Sequence, residues 1–275
     1  MNEPINVLEA NIILHSKLSG TYKSNEPHYR PENIHRVNEI LKTLSRNAPN
    51  KSMLDIGCGM GFILDIAENH FEDIYGIDIT KAMIEKIDNK KLNKNIQLAQ
   101  IEHLPFHSDQ FGMVTGYAVL HHLQDLIPAF KEIYRVLSPE GIFYSDTDPN
   151  YYFWKAMKNL SIADNYSDIV AREFHAVTKK DTELEAESGL DRTIIQAAEN
   201  LKHIKGGFKE NEIRAVLKTI GFSSVEVRYE WFVGEAKMVS TNRSIEERKL
   251  VHDYLVDLLP LSRHLFKYII IVAKK

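Results

Sequence analysis

Three glycines at alternate positions, Gly57, Gly59 and Gly61, separate the mostly apolar run 53–56 from the apolar run that begins at Phe62. Glycine at such a place lets the chain turn sharply from a strand into a helix and lets a ligand meet bare backbone. The first turn of that helix supplies unpaired N–H groups. Asp78 closes the next apolar run, about 20 residues further on, where a carboxylate can accept hydrogen bonds from both hydroxyls of a ribose. The chemistry indicated is nucleoside binding, but not of the dinucleotide kind. The pattern G-x-G-x-x-G requires glycine where Phe62 stands, and no Lys-Ser/Thr pair follows as in a phosphate-binding loop. Asp55, just before the glycines, brings a carboxylate to the place a pyrophosphate would take, so a cationic ligand group suits it better.

Other reactive side chains are sparse. His121 and His122 are neighbours, and neighbours in a strand or helix point apart, so they are not read as a joint metal site. His103 and His107 have Pro105 between them and form no helical metal pair; no metal is expected. Cys58 sits between two of the glycines and reads as structural. Lys81, Lys86, Lys90, Lys91 and Lys94 read as a solvated face. The aromatic group Phe143, Tyr144, Tyr151, Tyr152, Phe153 and Trp154 is suited in part to the core and in part to enclosing a small organic molecule.

The elements that must position these groups follow from periodicity. Apolar residues at helical spacing predict a helix over 5–19, a polar loop over 21–30, and a second helix over 32–45 opened by Pro31. From Lys51 onward strands (52–56, 74–78, 96–99, 113–117, 141–146) alternate with helices (62–70, 81–89, 124–137), which implies a parallel sheet with right-handed crossovers. The segment 148–205 is helix-like without a strand. A helix over 209–219 stops at Gly221, strands follow at 225–232 and 266–273, free to pair antiparallel, and Ser244-Ile-Glu-Glu247 reads as a capping box. The fold expected is α/β: a doubly wound, mostly parallel seven-stranded sheet, Rossmann-like, with an antiparallel last strand and a helical cap insertion. The division expected is an N-terminal helical lid over 1–33, a nucleoside-binding core over 34–148, a cap over 149–206 and the rest of the core over 207–275.

Composition agrees with a globular chain. Of 275 residues, 44% are hydrophobic, enough for a sizeable core. A net charge of −4 provides no general attraction to nucleic acid or anionic membrane. The single cysteine precludes an internal disulfide. With no targeting segment at 1–10 and no apolar run of membrane-spanning length, a cytoplasmic protein is expected, as monomer or homodimer, with neither nucleic acid nor membrane as partner.

In five places, in order, the chain resembles the class I S-adenosylmethionine-dependent methyltransferases of the small-molecule type. Leu54-Asp-Ile-Gly-Cys-Gly-Met-Gly61 is similar to the family's first motif and Tyr75-Gly-Ile-Asp78 to its acidic second-strand end. Glu102-His-Leu-Pro-Phe106 resembles the segment beside the adenine. Ala118-Val-Leu-His-His-Leu123 and Arg135-Val-Leu-Ser-Pro-Glu-Gly141 resemble the segments flanking the fourth and fifth strands. The resemblance implies S-adenosylmethionine as cofactor, with S-adenosylhomocysteine as product. It places Asp55, Gly57 and Gly59 around the methionine part and Asp78 on the ribose. Ile79 and Met83 would pack on the adenine, Gln100, Ile101 and Glu102 would border its edge, and Tyr117 would lie near the sulfonium. Two departures stand out: Gln100 occupies a position where the family usually has Asp, and so does Gly112, at an expected cost in strand stability.

The activity implied is transfer of a methyl group to an O, N or C atom of a small-molecule acceptor, in line, within a lidded site. Such transfer requires holding the acceptor and excluding water, with a base only where the acceptor must lose a proton. His121, Asp146, Tyr22 and Tyr29 are the candidates for contact with the acceptor, and His121 is the candidate base because its unperturbed pKa lies near neutrality. Three rivals remain: a non-catalytic binder of the cofactor or its product, a nicotinamide-dependent oxidoreductase, and a protein or RNA methyltransferase.

Overall fold

The computed structural model describes residues 5–88, 94–161, 164–241 and 243–275. Its centre is a seven-stranded sheet: β1 (Ser52–Ile56), β2 (Asp73–Asp78), β3 (Lys94–Leu98), β4 (Phe111–Tyr117), β5 (Leu137–Pro149), β6 (Ser224–Phe232) and β7 (Phe266–Lys274). The order is β3-β2-β1-β4-β5-β7-β6. Strands β1 to β5 run parallel, and β7 lies antiparallel to both β5 and β6. Side-chain alternation divides the core in two. Leu54, Val114 and Phe143 join Phe130 and Ile133 on one face, while Met53, Met113 and Tyr144 meet Val37, Leu41 and Ile63 on the other. Chain order reverses between β1 and β4, which leaves a crevice beyond their carboxyl ends.

Strand β5 keeps its two neighbours by slipping register. It pairs parallel with β4 as far as Asp146; against β7 the pairing is irregular between Ser145 and Asp148, where Thr147 adopts φ 63°. The Gly112 N–H donates to Asn50 Oδ1 at 2.8 Å. A Cβ there would lie 2.3 Å from the Asn50 carbonyl oxygen, so close approach requires glycine.

The helices follow the pattern with local differences. Pro31–Asn47 and Leu126–Val136 match their readings, and the Ser244–Glu247 capping box opens Ile245–Asp257. The helix read over 62–70 is Phe62–Ala67, and the one read over 81–89 is Lys81–Ile84, after which the Lys86 and Ile87 N–H groups donate to the Met83 and Ile84 carbonyls in tighter, three-residue turns. Asn89, Lys90 and Lys91, the Lys94 side chain and residues 1–4 lie outside the described part of the chain. The loop read over 21–30 holds a helical turn, Tyr22–Asn25, and a 3₁₀ turn, Pro27–Tyr29. Among the described residues, the segment 151–205 contains five helices: Tyr151–Lys158, Asp168–Thr178, Lys180–Ser188, Arg192–Ala198 and Asn200–Lys205.

The first helix, Val7–Leu18, begins where the Asn6 side chain accepts the Glu9 N–H at 2.7 Å. Its apolar side turns away from the sheet. Ala10, Leu14 and Leu18 cluster with Leu184, Ile195 and Ala198 in a third, separate core. The first helix and the helices around 184–198 thus form a roof over the crevice. No helix among the described residues is long and apolar enough to cross a membrane.

Candidate cofactor and acceptor site

Beyond β1, β2 and β4 the crevice opens into a cavity of about 610 Å³. Its floor is the turn after β1. Gly57 has φ 69°, and a Cβ there would fall 2.3 Å from Val119 Cγ2. The Gly59 N–H donates to one oxygen of Asp78 at 2.8 Å, and the Thr80 N–H donates to the other at 2.7 Å. These two backbone donors fix the carboxylate at the cavity edge, and each oxygen retains room for a further donor. Ile79, Met83, Gln100, Ile101 and Glu102 border the same end, and Tyr117 forms part of the wall. Tyr117 accepts a hydrogen bond from Asn33 Nδ2 at 2.8 Å, and burial, reinforced by Asp146, pushes its phenol up to about 12.

The structure thus gathers Gly57, Gly59, Asp78, Ile79, Met83, Gln100, Ile101, Glu102, Tyr117 and Tyr22 around one cavity. Four expected residues stand elsewhere. Asp55 lies within the sheet, accepting from Thr115 Oγ1 at 2.8 Å. Burial pushes its carboxyl up to about 8, with Thr115 opposing and Asp78 adding to the rise, so at neutral pH the Asp55 site is mainly uncharged rather than anionic. Asp146 is also fully buried; it pairs with Arg36 Nη2 at 2.9 Å and accepts from the Tyr144 hydroxyl. Tyr29 meets Phe62 edge-on and faces a separate depression with His35 and Asn38. His121 is held beneath the cavity wall, its Nδ1 2.9 Å from Asp148 Oδ1.

His122, unassigned from sequence, lines the cavity instead. The pair occupies a 3₁₀ turn, Leu120–His122, so the rings do not diverge as in a strand or helix; their centroids are 4.1 Å apart. His122 Nδ1 donates to the Ala198 carbonyl at 2.8 Å, and burial brings its imidazole down to about 3. One ligand atom from each of His121, His122 and Glu199 lies within 4.8 Å of the others, a grouping not foreseen from the sequence. Lys202 already pairs with Glu199 there. Cys58 is buried, and burial beside Asp78 raises its thiol well above the ordinary value, as befits a structural cysteine.

The roof adds Asn11 and His15, also unassigned from sequence. They stand four residues apart, on one face of the first helix. Their polarity on a helix otherwise rich in Ile and Leu was the available signal. Asn11 Nδ2 donates to the Val7 carbonyl and, at 3.1 Å, to the His122 carbonyl. His15 meets His122 edge-on at 4.9 Å and Tyr22 at 6.4 Å. At one end of the cavity stands the Asp78 carboxylate, and the rings of His15, Tyr22 and His122 line it beneath the roof.

A family model described as methyltransferase domain matches residues 54–145. The chain is 29% identical over 141 residues to the uncharacterized methyltransferase YcgJ of Bacillus subtilis, covering 46% of this chain and 56% of that protein. It is 27% identical over 126 residues to a ubiquinone biosynthesis O-methyltransferase of Coxiella burnetii, covering 43% and 54%. The chain spans about half the length of the curated relatives it matches. The crystal structure of an S-adenosylmethionine-dependent methyltransferase from Mesorhizobium loti shares the fold, with TM-score 0.54 at 18% identity over 86% of this chain and 96% of that one. With the five motifs and the carboxylate-bearing crevice, these likenesses establish that residues 54–145 form a methyltransferase domain of the class I family, whose cofactor is S-adenosylmethionine.

Proposed function

We propose that this chain binds S-adenosylmethionine in the cavity and transfers its methyl group to an O, N or C atom of a small-molecule acceptor held beneath the roof. The observation that carries this reading is the Asp78 carboxylate, fixed by the Gly59 and Thr80 N–H groups at the mouth of a cavity whose floor tolerates no side chain at Gly57. Asp78 would accept from the ribose hydroxyls. Ile79, Met83 and Ile101 would hold the adenine, with Gln100 and Glu102 at its polar edge. The cofactor supplies a methyl group on a positively charged sulfur that is its own leaving group.

The chain's contribution is then to position the acceptor and keep out water. Tyr117 and Val119 border the passage between the two ends, and the first helix covers it. The roof laid over the cavity favours a small acceptor over a protein or RNA. Titration calorimetry with S-adenosylhomocysteine tests the reading. We expect saturable binding to the native chain, weakened at least ~100-fold by Asp78→Ala, a loss of about 2.7 kcal/mol. No binding to the native chain, or equal affinity in the variant with its fold intact, overturns the assignment. Release of S-adenosylhomocysteine in the presence of metabolite fractions then separates an enzyme from a binder.

A further inference from the structure

The acceptor end of the cavity has a chemical character of its own, and its role as an acceptor site depends on S-adenosylmethionine occupying the nucleoside end. Among the described residues that line the cavity there is no lysine or arginine. Its two carboxylates, Asp78 and Glu102, both belong to the nucleoside end. The roof end is bounded by apolar Val7, Leu8 and Leu123 and by the rings of His15, Tyr22 and His122. His15 packs edge to face against both Tyr22 and His122. Two polar atoms within this wall, Asn11 Oδ1 and His15 Nδ1, are buried and have no hydrogen-bond partner. Unmet capacity of this kind costs free energy until a ligand satisfies it.

We propose that Asn11, His15, Tyr22 and His122 form an acceptor subsite for an uncharged, ring-bearing molecule with a hydrogen-bond-donating hydroxyl, a phenol in the simplest case. Three features support the class. An anionic acceptor would find no cation on the wall. A cationic one would find Glu199, beside His122, already paired with Lys202, and Asp78 already engaged by the Gly59 and Thr80 N–H groups. An uncharged hydroxyl would give Asn11 Oδ1, which can only accept, the donor it lacks. Burial lowers the pKa of both His15 and His122, outweighing the opposing pull of Asp78 and Glu199 on His15. Asn11 and His15 are specificity residues here, not catalytic ones, since no reacting atom is assigned to them.

Three probes that share a ring system and differ in charge test the proposal: 2-naphthol, 2-naphthoate and 2-naphthylmethylamine, each titrated by NMR into the full chain saturated with S-adenosylhomocysteine. We expect 2-naphthol to bind at least ~10-fold more tightly than either charged probe, a difference of about 1.4 kcal/mol. Asn11→Leu and His15→Phe should each weaken 2-naphthol at least ~10-fold and leave S-adenosylhomocysteine affinity within ~3-fold. His15→Phe keeps the ring and removes its nitrogens, so it remains decisive if Asn11→Leu fails to fold. Equal or tighter binding of a charged probe, no saturable binding of 2-naphthol, or indifference of 2-naphthol to His15→Phe overturns the proposal. If S-adenosylhomocysteine itself does not bind, the cofactor reading falls and the subsite falls with it. Bound S-adenosylhomocysteine with an unselective acceptor end removes the subsite alone.

Discussion

At the floor of the cavity, β1, β2 and β4 hydrogen-bond continuously, and their side chains belong to the two large cores on either face of the sheet. At the roof, the first helix and its partners share a core of six buried residues that is not continuous with either. Directed polar links tie the roof to the floor, and they converge on the turn after β4. Asn11 Nδ2 donates to the His122 carbonyl, His122 Nδ1 donates to the Ala198 carbonyl, and Asn200 Nδ2 donates to the Leu123 carbonyl at 3.0 Å. Regions with small cores open at lower free energy than the whole fold. The difference implies that the Asp78 end of the cavity is rigid before any ligand arrives, while the roofed end opens at lower free energy.

Three changes break or sharpen this contrast. The largest effect is expected from Lys202→Met, which leaves the buried Glu199 carboxylate without its cation. Removing one partner of a buried pair costs about 3–5 kcal/mol. Hydrogen exchange should show Arg192–Ala198 and Val7–Leu18 losing protection while β1 and β4 retain theirs; equal loss in both would erase the distinction. Gly57→Ala comes next, at about 3 kcal/mol, from the left-handed backbone and the contact with Val119 together. In this case urea unfolding and exchange should show the strands weakening along with the roof, and an effect confined to the roof would contradict the rigid floor.

The smallest effect, counted per pH unit, concerns the Asp55 carboxyl. Burial raises the Asp55 carboxyl from its usual 3.8 to about 8, so between those values the folded chain holds a proton that the unfolded chain releases. Stability therefore falls as pH rises through this window, by at most about 1.4 kcal/mol per pH unit from this group. Asp55→Asn should flatten that slope in thermal unfolding measured from pH 5 to 8. An unchanged slope would show that the floor does not depend on this proton.

Much of this arrangement was legible in the sequence, for identifiable reasons. Strand β1 is apolar enough to be buried on both faces and ends at a glycine turn, so both it and the residues around Asp78 that share the cavity could be read. Side-chain direction was harder. Asp55 and Asp146 lie at carboxyl ends of strands as expected, but a strand residue points to one of two faces, and these two point into the protein. The histidine pair was read with the spacing of a strand or helix, whereas a 3₁₀ turn repeats every three residues and brings the second ring, not the first, to the cavity. Tyr22 and Tyr29 shared one loop in the sequence; the turns at Tyr22–Asn25 and Pro27–Tyr29 send them to different surfaces. Glu199 and Ala198, so distant along the chain, gave no local sign that they would meet His122.

The slip at Thr147 does more than keep β5 between two neighbours. Without an extra residue, Asp146 and Asp148, two positions apart, would project on the same side of the sheet. As built, Asp146 shares a side with Tyr144 and fastens Arg36 of the Pro31–Asn47 helix, whereas Asp148 accepts from Ser145 Oγ at 2.8 Å and fastens His121. One strand thereby anchors the layer above and the layer below. The count of residues between the two aspartates, as much as their identity, decides which layer each one secures.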